Sequence, residues 1–166
     1  MHCQYQRNAF LSFASFTEIL RGQFESPVVC PNAILSILSH AQFHPEEWRE
    51  FAVKCSSHYT RNLVAINDTF AIYLNCYNAG QSSPIHDHNN SRCWVKVLEG
   101  ELFDVKFKYS GSKFMQAKSV VMSSDDVAFL NGTFSTCRFS LTHSLTHSLT
   151  HSLTHSLTHS LTHSLA

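Results

Sequence analysis

Between Phe70 and Tyr109 the chain alternates in period two, and this constrains its fold more than any other feature. Phe70, Ile72, Leu74 and Cys76 alternate with Ala71, Tyr73, Asn75 and Tyr77. Cys93, Val95 and Val97 alternate with Trp94, Lys96 and Leu98, and Phe103, Val105, Phe107 and Tyr109 with Asp104, Lys106 and Lys108. Side chains on a strand point to opposite faces in turn, so each run predicts a strand with one buried face. Gly80, Gly100 and Gly111 punctuate the runs where hairpins need turns. Segments 117–122 and 127–130 predict further strands.

The preceding residues follow a different period. Phe10, Phe13, Phe16, Leu20 and Phe24 have helical spacing, and Ser15 with Glu18 reads as a capping box opening that helix. Pro31 opens a second helix with Ile34, Leu35, Leu38 and Ala41 on one face. His44-Pro45-Glu46-Glu47 starts a third, with acids at the positive end of the dipole and Trp48, Phe51 and Ala52 on its buried side. Three short helices before a run of antiparallel strands predict an α+β fold, mainly β, with a barrel or sandwich as its body.

The end of the chain is of another kind. From Ser140 to His163 it reads Ser-Leu-Thr-His six times, which supplies six of the 12 histidines. Ser and Thr oppose an isolated helix, so residues 140–166 are expected to be a disordered or weakly helical low-complexity tail on a domain spanning 1–139. CACT read in triplets encodes the same four-residue cycle in every frame, so the tail has the form of a translated tetranucleotide repeat. Metal binding by a His tract is the functional alternative.

Composition excludes several classes. With 12 Lys+Arg against 12 Asp+Glu the chain lacks the basic footprint of a nucleic-acid or anionic-membrane binder, and no apolar run is long enough for a span. The six cysteines form no C-x-x-C pair, and the apolar stretch 9–16 is too short and too broken by serine for a secretory signal. A reduced, cytoplasmic monomer is expected.

The chemistry concentrates in 80–100. His86 and His88 in a His-x-His share one face of an extended segment, and two imidazoles aimed into one cavity suit Zn, Cu, Fe or Ni alike. The wider pattern Gly80-x5-His86-x-His88-x4-Cys93-x6-Gly100 resembles the first motif of the cupin superfamily. Cys93, where many cupins have Glu, and the segment Tyr59-Thr60-Arg61-Asn62-Leu63 resemble the animal cysteine dioxygenases, over about Phe16 to Phe139.

That resemblance implies a cupin-type antiparallel barrel, left incomplete at its C-terminal end, around one mononuclear Fe(II). His86 and His88 would be metal ligands, Arg61 would clasp the carboxylate of L-cysteine, Tyr59 would line the pocket, and Cys93 would be the cysteine that these enzymes join to a tyrosine by a thioether. L-Cysteine and O2 would be the substrates, and cysteine sulfinic acid the product, in cysteine catabolism and taurine biosynthesis. Two departures stand out. The third histidine of the family falls at Cys137, and no tyrosine follows Tyr109 to partner Cys93. With closing strands missing, open strand edges, low stability and little activity are expected. The alternatives are a non-catalytic cupin binding a small molecule or a partner, and another metal cupin such as an isomerase; Arg61 and the absence of Glu near 93 argue against the latter.

Overall fold

A computed structural model describes residues 10–86, 88 and 91–131, and the backbone of 136–140 and 148–155. A short strand β1 (Phe10–Leu11) leads into helix α1 (Phe13–Phe24), whose Phe13, Phe16, Leu20 and Phe24 are buried. This helix starts one turn before the capping box expected at Ser15. Ser12 is the N-cap and its Oγ accepts from the Ser15 N–H at 3.1 Å, while Glu18 pairs with Arg21 at 3.3 Å. Burial of Phe13 decides the start, and its N–H donates to the Glu47 carboxylate at 3.2 Å. Both proline starts hold: α2 (Pro31–His40) buries Ile34 and Leu38, and α3 (Pro45–Arg49) buries Trp48, with β2 (Gln42–Phe43) between them paired parallel to β1.

Eight strands follow: β3 (Thr60–Ile66), β4 (Ala71–Tyr77), β5 (Arg92–Glu99), β6 (Glu101–Ser110), β7 (Lys113–Ser123), β8 (Val127–Asn131), β9 (Thr136–Ser140) and β10 (Ser148–His155). They form a five-stranded antiparallel sheet, order β3-β4-β10-β5-β8, and a three-stranded one, order β7-β6-β9, with no closed barrel among the described residues. Gly100 (φ 87°) and Gly111 (φ 63°) make the β5–β6 and β6–β7 turns in the left-handed region that only glycine enters freely.

The alternation in β4 and β5 does not separate a wet face from a dry one. Ile72, Leu74, Cys76 and Trp94 pack with Phe16, Leu20 and Ile34 of the helices. On the opposite face Tyr77, Cys93, Val95 and Val97 pack with Leu102, Met122 and Leu130. The sheet is therefore a middle layer, covered on both sides. Trp94 Nε1–H donates to the Pro31 carbonyl at 3.2 Å, fastening α2 to β5. Lys96, 1% exposed, reaches Asp125 at 2.8 Å in the β7–β8 turn, where Asp125 has φ 72°.

The repeat tail departs most from expectation. Residues 148–155 form a strand, neither disordered nor helical, pairing antiparallel with β4 on one side and β5 on the other. Two effects favour this. Without β10, one edge of β4 and one of β5 would present unpaired N–H and C=O groups inside a buried layer. A four-residue repeat is also twice the strand period of two, so it fits a pleat as readily as a helix. The edges expected to lie open are thus filled by the low-complexity segment itself.

Asp104 is 3% exposed on β6, with Oδ2 3.8 Å from Lys106 Nζ. Burial raises its pKa above the ordinary carboxylate value, against the opposing pull of Lys106 and Lys118. A carboxyl whose folded pKa is raised favours the fold most below its unfolded pKa, about 3.9, and that contribution is lost as pH rises through the folded value. Asp104→Asn is therefore expected to gain stability relative to the parent as pH rises from 3.5 to 7, measured by urea unfolding at each pH. A difference independent of pH would rule the linkage out.

Candidate metal and substrate site

Residues expected to bind metal and substrate come from two segments that the fold ties together. The first runs through Cys55 into β3 and carries Tyr59 and Arg61. The second leaves β4 and carries His86 and His88. Asn78 Nδ2–H and Gln81 Nε2–H both donate to the Cys55 carbonyl at 2.8 Å, and the Asn78 N–H donates to Gln81 Oε1 at 2.8 Å. Both segments are therefore anchored at one point.

The rings of His86 and His88 are 5.2 Å apart between centres, at 67°, and both residues are half-buried. His86 Nδ1 lies 2.9 Å from the Pro84 carbonyl oxygen. A carbonyl can only accept, so Nδ1 carries the proton and Nε2 keeps the lone pair that a metal requires. The Ser91 N–H donates to the His88 carbonyl at 2.7 Å, closing the turn into β5. Two imidazoles, one of them turned so that Nε2 is available, suit a divalent transition ion such as ferrous iron. Among the described residues no third His, Cys, Asp or Glu joins them. Cys137 is placed on β9 opposite Lys106 of β6; its side chain, like all of His143, lies outside the described residues.

The substrate-side residues share the sheet face turned away from the helices. Tyr59 stacks on Tyr77 with centres 5.0 Å apart at 8°. Both pack into the cluster that contains Cys93, which is 1% exposed. Arg61 sits opposite Asn75 in the β3–β4 register, so alternation puts it on the same face, and its Cζ lies 3.9 Å from the centre of the Tyr73 ring. Arg61 is exposed, and the aromatic ring beside it limits the freedom of its guanidinium. Burial raises the pKa of Cys76 on the other face, marking that thiol as a core group. Tyr73 and Tyr77 brace Arg61 and Tyr59 from the same face of β4, and the aromatic parity of that strand is their signal in the sequence. In the β5 registers, Cys93 faces Leu130 of β8 and Thr154 of β10.

The chain is similar to known proteins in both sequence and fold. A model of the family "Cysteine dioxygenase type I" matches residues 4–153, past Phe139 and into β10. Cysteine dioxygenase type 1 of Homo sapiens is 29% identical over 131 residues, covering 76% of this chain and 66% of that protein. The Danio rerio enzyme is 28% identical over 120 residues (69% and 60%), and the Rattus norvegicus enzyme 32% over 103 (61% and 52%). The matched stretch thus spans less than two thirds of these relatives. Among solved structures, TT1209 from Thermus thermophilus superposes with a TM-score of 0.54 at 17% identity, over 64% of this chain and 91% of that one. A cupin superfamily protein from Desulfitobacterium hafniense gives 0.50 at 11%, over 80% and 94%. The fold is that of the cupins.

Proposed function

The chain belongs to the cysteine dioxygenase type I family, and from that membership we propose that it is a non-haem iron thiol dioxygenase that oxidises L-cysteine with O2 to cysteine sulfinic acid. The observation that carries the metal part is the His86–His88 pair, with His86 Nδ1 committed to the Pro84 carbonyl at 2.9 Å.

In this reading His86 and His88 would hold the ion through their imidazole nitrogens. Ferrous iron, when held there, supplies a centre at which a thiolate and dioxygen react. Arg61 clasps the amino-acid carboxylate through its planar fork, and Tyr73 behind the guanidinium holds the fork in place. Tyr59, braced on Tyr77, closes the apolar side and excludes water. Fixing the carboxylate orients the substrate sulfur and removes much of the entropic cost of bringing the reactants together. Cys93 borders this space outside any disulfide. Four described cysteines without disulfides suit a reducing cytoplasm, where the substrate thiol is also stable.

The test is direct. The full chain, loaded anaerobically with ferrous iron and mixed with L-cysteine and O2, is expected to form cysteine sulfinate with one O2 consumed per cysteine. Cys137→His restores an imidazole at the family's third ligand position and is expected to raise iron retention and rate at least about tenfold. A folded chain that retains no iron and forms no sulfinate, in either version, would favour the non-catalytic cupin.

A further inference from the structure

The loop that leads into β3 carries a second sulfur centre, separate from the dioxygenase reading. Cys55 Sγ lies 3.2 Å from Ser57 Oγ and 3.4 Å from His58 Nδ1, and Ser57 Oγ lies 2.9 Å from the same ring nitrogen. Ser57 and His58 are exposed and Cys55 is half-exposed. A thiol, a hydroxyl and an imidazole therefore meet at the surface. This differs from the other described cysteines. Cys76 and Cys93 are buried, and Cys30, though exposed at the start of α2, makes no side-chain cap hydrogen bond.

From this triangle we propose that Cys55 is a thiol–disulfide exchange site, with small-molecule disulfides as its reactants. The Cys55 Sγ–H proton passes to His58 Nδ1. The thiolate attacks one sulfur of the disulfide R–S–S–R, a bond forms between Sγ and that sulfur, and the S–S bond of the reagent breaks. The leaving RS⁻ takes the proton back as RSH, so the products are Cys55–S–S–R and one free thiol. Attack needs thiolate and an open approach. The donors at Sγ supply the first and the exposed loop supplies the second. The Ser57 hydroxyl and N–H also lower the thiol pKa from its ordinary value, with the His58 N–H adding to them.

Placement gives the modification a meaning. The Cys55 carbonyl is the acceptor for both Asn78 and Gln81, so an adduct would sit where the segments bearing Tyr59 and His86 are anchored.

L-Cystine serves as the probe. The full chain is incubated with excess cystine, quenched by alkylation at successive times and mapped by peptide mass spectrometry, so that each cysteine is read separately. Cysteinylation of Cys55 is expected to be at least fivefold faster than that of Cys30. His58→Gln with Ser57→Ala is expected to bring Cys55 down to the Cys30 rate. An unchanged Cys30 rate in that variant reports an intact fold, and Ser57→Ala alone serves in its place if the rate changes. Equal rates at Cys55 and Cys30 in the parent chain, or a Cys55 rate untouched by the substitutions, would overturn the proposal. Because none of these readouts needs iron or turnover, failure here is distinct from failure of the dioxygenase reading.

Discussion

A chain carrying both Thr150→Pro and Thr158→Pro is expected to lose its cooperative thermal transition, while either proline alone shifts the midpoint by no more than about 2 °C. The reason is the repeat within β10. The strand occupies eight residues, Ser148–His155, of a sequence that repeats every four from Ser140 to His163. Sliding it by four residues restores every pairing with β4 and β5, side chain for side chain, because four is an even number of strand residues. Frames 144–151, 148–155, 152–159 and 156–163 are thus equivalent in sequence.

Proline at 150 removes a ladder donor from the first two frames, and proline at 158 from the last two. With Thr150→Pro the strand is free to move to 152–159. The link from β9 then grows from residues 141–147 to 141–151, which costs roughly 0.4 kcal/mol of loop entropy. With both prolines the one unbroken frame is 140–147, which shares Ser140 with β9 and leaves no link between the two strands. Thermal unfolding of the three variants decides the matter. If Thr150→Pro alone is as damaging as the pair, the register is unique; if the pair is harmless, β10 is not needed.

The second large effect concerns the metal. His86→Ala and His88→Ala are each expected to cut iron retention and sulfinate formation by more than about 100-fold, since each removes one of the two proposed ligands. His58→Ala, on the exposed loop, should leave both unchanged. Iron content after gel filtration, measured with a ferrous chelator, checks this independently of turnover. Full retention of iron in both ligand variants would remove the site from 86–88.

Much of this architecture is legible in the residues. Pro31 and Pro45 mark helix starts because proline suits a first turn, and the runs at 70–76, 93–98 and 103–109 lie within or against strands. The motif His86-x-His88 marks two rings that do come together, and the Tyr59–Arg61 segment and Cys93 lie on one face of the sheet. Other features depend on partners distant in sequence. Ser12 rather than Ser15 caps α1 because Phe13 is needed in the core, and a local capping pattern carries no information about burial. Tyr73 and Tyr77 read as the solvent side of an alternating strand until the second layer covers them. β10 was illegible for the same reason: its residues are indifferent between states, and the vacancy between β4 and β5 makes the choice.

The position of β10 also sets an order of events during synthesis. Its two neighbours in the sheet, β4 and β5, do not pair with each other, so without it the sheet is two separate pairs, β3-β4 and β5-β8. All four of those strands are complete at Asn131, but His155 emerges 24 residues later (155 minus 131). At about 5–20 residues per second the ribosome leaves these half-sheets waiting roughly one to five seconds. Their inner edges are buried on both faces in the finished protein and open during that interval. Open edges of that kind pair readily with other chains, so aggregation competes with completion of the sheet until His155 has emerged.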